Sequence, residues 1–372
     1  MAVIWLSLTL AWGGDREIGS AGGSEREDDR LLAGGLAPTV AAPILNGREA
    51  TVEEFPMTGG LVISAEVGFV GASGGITSKL LMCTSTLIAP DVVLTAGHCV
   101  DVDALLETSG YGDQITLSNV VFGWTPEPDL SAYSALTLVD PGWPAGTSSG
   151  ADAVAHEDFS LASLRIGLYE NNDIALVFLD EPVLDTPFAW LPTEEEADQI
   201  QPGEPVQIVG WGQQTSDQQP PPGTVGVKHI ADSVIGEVAK YEIQIGDSPD
   251  DGRKCHGDSG GPTYFAVEGG EDPDPMRVIG VTSHSYDFTD CASQGGVDTR
   301  VDFYLEWIEE QMVSRCDDGT RAWCDQPGIP KQKVASTAGI LTDDEKGGCN
   351  SAGRGPTGLA MLCALLAVRK RR

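Results

Sequence analysis

Between residue 44 and about residue 313, hydrophobic and polar positions alternate in short runs that glycine, proline, asparagine and aspartate interrupt. Runs at 60–65, 87–95, 174–179, 206–211 and 277–282 have the length and the β-branched, aliphatic content of strands. Many short strands and few helices predict an all-β sandwich or barrel. One helix is predicted over 301–313, where Val301, Tyr304, Leu305, Ile308 and Met312 share a face that can dock on a β core. Residues 144–168 and 213–223 break the pattern with small, polar and proline-rich sequence, and read as loops around a site. No repeat of fixed period is visible, although two similar β-barrels would leave little trace of one.

Outside this span the pattern changes. Residues 2–12 (AVIWLSLTLAW) are apolar, too short to span a bilayer but long enough for the hydrophobic part of an export signal, and they lack its usual basic start. Residues 13–43 show no period and read as a flexible pro-segment, so that 1–43 form an export signal and pro-segment. Residues 314–348, rich in Gly, Asp, Lys and Ser, read as a linker. A last apolar stretch, 355–368, precedes Arg369-Lys370-Arg371-Arg372.

Of the 372 residues, 41% are hydrophobic, enough for a substantial core. The 56 acidic against 22 basic residues give a net charge of -34, which repels nucleic acid and anionic lipid and excludes nucleic acid as a partner. So much acid reads as a solvated surface that keeps an exported protein soluble. Eight cysteines without zinc-ligand spacing point to disulfides, and neither a metal nor another cofactor is expected.

The strongest local signal is Cys255-His256-Gly257-Asp258-Ser259-Gly260-Gly261-Pro262. A serine hydroxyl attacks a carbonyl only if a base takes its proton, and the resulting oxyanion needs backbone N–H donors, which a glycine-rich turn can present. Two further pieces supply the partners: Leu94-Thr95-Ala96-Gly97-His98-Cys99, and Asn171-Asn172-Asp173-Ile174-Ala175-Leu176. In the order His, Asp, Ser, these pieces resemble the chymotrypsin/trypsin family of serine endopeptidases. Ile44-Leu45-Asn46-Gly47, Gly210-Trp211-Gly212, Ser283 and Gly296-Val297 extend the resemblance over residues 44–313. It implies a peptidase domain of two six-stranded antiparallel β-barrels with a C-terminal helix, and polypeptide substrates.

Carried over residue by residue, the resemblance makes Ser259 the nucleophile, His98 the general base, Asp173 its buried partner, and the N–H groups of Gly257 and Ser259 the oxyanion hole. It also implies a zymogen: an activating protease cuts before Ile44, and the new ammonium pairs with Asp258. Pro43 departs from the basic residue more usual there. Gly97 stands where the family usually has alanine, a small-for-small exchange expected to be harmless. The implied disulfides are Cys83–Cys99 and Cys255–Cys291; Cys316 and Cys324 could close a short loop. His156 and His229 read as ordinary surface residues. A non-catalytic binding protein of the same fold and an esterase using the same triad are the competing functions.

At the base of the implied specificity pocket, six positions before Ser259, stands Arg253, with Lys254 following, His256 at the rim, His284 and Ser285 as one wall, and Gly296 at an open entrance. A guanidinium at the base predicts a preference for Glu or Asp before the scissile bond. Pairing of Arg253 with Asp298 would instead leave the pocket neutral. The C-terminal residues 349–372, from Cys349 through the apolar stretch to the basic end, resemble the sorting tails of myxobacterial surface proteins. This implies a sorting machinery as partner, processing at Cys349, and a secreted or surface-anchored location.

Overall fold

The computed structural model describes residues 43–331 apart from 72–73, 109–111, 113, 136, 138, 214–224, 269–274 and 287–293. The export signal, most of the pro-segment, Cys291, nearly all of the 213–223 loop and the 349–372 tail with Cys349 lie outside the described residues.

A two-residue strand β1 (Arg48–Glu49) precedes β2 (Thr58–Phe69), β3 (Gly75–Ala89), β4 (Val92–Thr95), β5 (Ile115–Thr125), β6 (Ser148–Gly150), β7 (Asp152–Ala155) and β8 (Ala175–Phe178). Strands β2 to β8 form one antiparallel sheet in the order β6-β5-β2-β3-β4-β8-β7. Only Ala151 separates β6 from β7, so this one run pairs with β5 at one end and β8 at the other and closes the sheet into a barrel. The second sheet holds β9 (Pro205–Gly210), β10 (His229–Val238), β11 (Glu242–Ile245), β12 (Pro262–Ala266), β13 (Met276–Ser285) and β14 (Gly296–Arg300). It closes through β9 on β10, with β1 added at the edge of β10. Counting 148–155 as one bent strand, each barrel has the expected six.

The predicted strands lie where expected, with two differences. The run 87–95 is two strands, because Pro90 has no N–H for a ladder and turns the chain with Asp91. Residues 144–168 include the closing strands and are not only a surface loop. Alternation buries Leu61, Ile63, Leu87, Leu94, Phe122 and Leu176 in the first barrel, and Val206, Ile208, Ile243, Ile245 and Ile279 in the second. Thr58 Oγ1 and Tyr264 Oη, 2.8 Å apart, and Thr84 N donating to Ser259 O at 2.8 Å tie the barrels together.

The C-terminal helix spans Leu305–Asp317, four residues later than expected. Val301 N still donates to Ile279 O at 3.0 Å as the chain leaves the sheet, and a 3-10 turn at Asp302–Tyr304 intervenes. Trp307, Ile308 and Met312 are its buried face.

Residues 318–331 are a docked strap rather than a linker. A disulfide joins Cys316 to Cys324, and the buried Arg321 guanidinium forks onto Asp91 at 2.9 to 3.2 Å. Trp323 N also donates to Asp91 at 2.8 Å, so the β3–β4 turn, the helix and the strap form one joint. Removing one partner strands a buried charge at a cost of about 3–5 kcal/mol, whereas an apolar pair of similar size avoids most of that cost. Urea unfolding should therefore show Asp91→Leu and Arg321→Met each strongly destabilised and the double variant clearly less so.

Candidate active site

The Cys255–Gly261 turn sits at the junction of the barrels. Asp258 N donates to Cys255 O at 3.0 Å, Gly261 N to Asp258 O at 2.8 Å and Gly260 N to Thr282 O at 2.8 Å. From the first barrel, Thr84 Oγ1 donates to Gly257 O at 3.1 Å. Gly257 has φ +95°, a conformation that suits glycine, and a Cβ there would lie 2.9 Å from Gly212 Cα. Among the described residues, neither Gly257 N nor Ser259 N donates to a protein acceptor, although Cys255 N, Asp258 N, Gly260 N and Gly261 N do. Two unpaired donors flanking a serine suit an oxygen that gains charge. A Cβ on Gly260 would fall 3.0 Å from Ala96 N, so the Ser259 turn lies against the segment leading to His98.

Asp173 stands just before β8, fully buried. Its Oδ1 accepts from His98 N at 2.9 Å; its Oδ2 accepts from His98 Nδ1 at 2.7 Å and Ser283 Oγ at 2.5 Å. Thr299 Oγ1 donates to its carbonyl at 2.9 Å. A carboxylate can only accept, so the imidazole proton is on Nδ1 and Nε2 is left as a base. Burial opposes both charges, but each stabilises the other: the pKa of Asp173 lies below its ordinary value and that of His98 above. His98 Nε2 and Ser259 Oγ carry no hydrogen bond among the described residues; such contacts often tighten only when substrate binds.

At Gly97 the absence of a methyl matters to the packing. A Cβ there would lie 2.9 Å from the Phe159 ring and 3.2 Å from Asp173 Oδ1, so the bare Cα leaves room for both beside it. The two histidines expected at the surface are not ordinary surface groups. His229 is buried with Nδ1 2.7 Å from Val227 O. His156 packs against Tyr304 and Trp307, at ring distances of 5.3 and 5.4 Å.

Asp258 is buried and accepts from Gly212 N and Cys255 N, each at 2.8 Å. No cation lies within ion-pair distance of it among the described residues, and burial pushes its pKa up to about 6. Ile44 is fully buried in the second core at φ +36°, and the next residue, Leu45, exchanges backbone hydrogen bonds of 2.9 and 3.0 Å with Arg253.

That exchange decides the fate of the two basic residues. The stem of Arg253 packs beside Gly246, and its Nη2 donates to Pro249 O at 2.9 Å. Lys254, not Arg253, pairs with Asp298: Nζ lies 2.7 Å from Asp298 Oδ2 and 2.7 Å from Thr263 Oγ1, all buried. Asp298 Oδ1 is buried without a hydrogen-bond partner. Neighbouring residues of an extended segment face opposite sides, so only one of Arg253 and Lys254 could reach β14; the Leu45 pairing determines which. A Cβ on Gly296 would meet only His284 O at 3.7 Å and Lys254 at 3.9 Å, so that side is open. His256 is exposed, as a rim residue would be, and Ser285 is half-buried at the end of β13.

Cys83 and Cys99 are joined by a disulfide, and Cys255 is disulfide-bonded. The one ligand-like cluster among the described residues, Cys83, His98 and Cys99, therefore offers no thiolate to a metal. Sequence reasoning missed Glu242, which is buried behind Asp173 and accepts from Tyr169 N at 2.7 Å and Asn171 Nδ2 at 2.9 Å. Burial pushes its pKa up to about 7. A lone acid in a short hydrophobic strand, Glu242-Ile243-Gln244-Ile245, was the available signal.

Comparison with known proteins agrees with this geometry. The trypsin family model matches residues 44–125 and 139–308. Chymotrypsin-like elastase family member 3B of Macaca mulatta is 27% identical over 297 residues, covering 76% of this chain and 100% of the relative. Proproteinase E of Bos taurus is 28% identical over 241 residues, covering 62% and 84%. A trypsin of Saccharopolyspora erythraea is 26% identical over 279 residues, covering 72% and 98%. A triad-like pairing between two β-barrels, together with a family match over most of the chain, places this protein in the trypsin family of serine-type endopeptidases.

Proposed function

We propose that the chain is an exported zymogen whose cleaved form hydrolyses peptide bonds through an acyl-enzyme on Ser259. The observation that carries this reading is the buried Asp173–His98 pair facing a turn with two unpaired N–H groups. In the proposed reaction Ser259 Oγ attacks the carbonyl carbon while His98 Nε2 takes its proton. The oxyanion is held by Gly257 N and Ser259 N. Collapse of the adduct breaks the C–N bond as His98 returns the proton to the leaving amine, and water repeats the sequence to release the acid.

Export is supported by the apolar residues 2–12 and by the disulfides, which persist in oxidising compartments. Surface attachment through Cys349 rests on the sequence of the tail. Activation is supported by Asp258: a carboxyl buried without a cation is costly as an anion, and an ammonium released at Ile44 would remove that cost. Relatives whose names mark precursors, Proproteinase E and the Proclotting enzyme of Tachypleus tridentatus, point the same way.

The Lys254–Asp298 pair favours a neutral pocket over the acid-selective one that Arg253 suggested. A lysine already bonded to Asp298 and Thr263 would have to be stripped of those partners to hold a substrate carboxylate. The preferred residue before the scissile bond is therefore uncharged.

Three measurements test these readings. A fluorophosphonate probe should label Ser259 of the cleaved protein, and Ser259→Ala should lower kcat by about 10⁴-fold or more. The acid limb of kcat/KM should lie above the ordinary histidine value of 6.5, because only neutral His98 can take the serine proton. Absence of labelling would favour a binding protein, and hydrolysis of simple esters without peptides an esterase. Second, the intact mass of active, cell-derived enzyme should correspond to a chain from Ile44 to near Cys349; full activity with the pro-segment attached would refute the activation scheme. Third, among peptides differing only before the scissile bond, Leu or Phe should outperform both Glu and Arg. Faster turnover of Glu would restore the basic-pocket reading.

A further inference from the structure

His284 ends up with oxygen at both ring nitrogens. Nδ1 lies 2.9 Å from Ser283 Oγ and Nε2 lies 3.1 Å from Gly167 O. Ser283 has one hydroxyl proton, and its oxygen is 2.5 Å from Asp173 Oδ2, a carboxylate oxygen that can only accept. That proton is committed to Asp173, so Ser283 presents a lone pair to His284, as Gly167 O does. Both contacts are hydrogen bonds only when both ring nitrogens carry protons. Either neutral tautomer opposes a nitrogen lone pair to an oxygen lone pair, or draws the hydroxyl proton away from Asp173.

Gly167 belongs to the 160–170 segment, which leads into Asp173 and rests against the end of β13, the wall of the proposed substrate cleft. Its second anchor is Glu242, through Tyr169 N and Asn171. Asn171 also brackets Arg165, accepting from its N and donating to its O at 2.9 Å each.

We propose that His284 is a proton-operated specificity latch: as the imidazolium it joins the 160–170 segment to Ser283 and Asp173, and as the neutral ring it releases that segment from the cleft wall. This rests on the catalytic reading above. Because the ring links this segment to the group that holds Asp173, the latch would set how an extended substrate lying along the cleft wall, more than a single-residue one, is received.

The groups facing the ring decide when it works. Burial most strongly opposes the imidazolium and holds its pKa below 6.5, while Asp173 and Asp298 favour the charge and a protonated His98 opposes it. Lys254 lies beside Gly296 with its own charge bonded to Asp298. On the segment's side stand Arg165 and Glu242, and the latter gains its charge only as pH passes about 7. The latch is therefore closed at acid pH and opens as pH rises through a value below 6.5. At higher pH, past about 7, Glu242 ionises and becomes the stronger hold on Tyr169 N.

The test uses cleaved enzyme and two substrates sharing the residue before the scissile bond, a blocked single-residue ester and a peptide extended four residues upstream, between pH 5 and pH 8. The ratio of their KM values should change by about threefold to tenfold, the worth of one hydrogen bond, with a midpoint below 6.5. It should lose its pH dependence in His284→Phe, or in His284→Gln should the phenylalanine variant not fold. Nitrogen-15 spectra of Ser259→Ala should show both His284 nitrogens protonated at pH 5 and one at pH 8. A ratio that is flat in the wild type, pH dependence that survives in the His284 variants, or a neutral His284 at pH 5 would each overturn the latch. Ester turnover by the wild type, lost in Ser259→Ala, checks the catalytic reading separately.

Discussion

The buried charge of Asp173 is the constraint on which the site depends. A carboxylate removed from water is tolerable only if most of its lone pairs receive donors, and here the donors come from both barrels. His98 supplies a backbone and a ring N–H from the first barrel, and Ser283 a hydroxyl from the second. Satisfying this one group thus fixes the imidazole tautomer, raises the basicity of His98 and sets the two barrels in register at the cleft. The bare Cα of Gly97 leaves room for the Phe159 ring and for Asp173 Oδ1 on the side where a methyl would stand.

Other buried charges show what happens when that condition is met differently. Asp91 has a full set of partners in Arg321 and Trp323, and it pins the strap to the β3–β4 turn. Lys254 and Asp298 meet with Thr263 between them and cancel, but Asp298 Oδ1 is left over. Asp258 has backbone donors and no cation within ion-pair distance among the described residues, and burial pushes its pKa up to about 6. Of these three carboxyls, Asp91 has its charge matched and holds the strap in place, whereas Asp258 and Asp298, in the Ser259 turn and on β14, each lack a cation or a donor among the described residues.

What could be read from the sequence follows this division. The strands and the turn around Ser259 depend on local alternation and on glycine, so they are visible in short windows. The His, Asp and Ser motifs are each local as well. Partners of buried charges are set by register between distant strands, and no window contains them. Lys254 and Asp298 are 44 residues apart, and choosing Lys254 over Arg253 requires knowing that Leu45 pairs with Arg253. Arg321 and Asp91 are separated by 230 residues, which is why the strap reads as a linker from composition alone. The packing at Gly97 is hidden for a related reason: the exchange is small in volume, but the room for a methyl depends on Phe159, whose position belongs to another element.

The distribution of charge separates attraction from selection. Lys79, Lys228, Arg253, Lys254, Arg277 and Arg321 are buried, whereas most acidic side chains remain at the surface. Each of these buried cations is held by carboxylates, carbonyl oxygens or hydroxyls within the fold, as when Lys228 Nζ donates to Glu54 O and Phe55 O at 2.8 and 2.9 Å. The exterior field of a chain with net charge -34 is therefore set by acid, and it draws cationic polypeptides toward the surface at low ionic strength. The proposed pocket floor has no matching bias, because Lys254 and Asp298 cancel. With the neutral pocket proposed above, a basic polypeptide would be attracted as a whole yet cut beside an uncharged residue, and raising the salt would weaken the attraction without altering the site of cleavage.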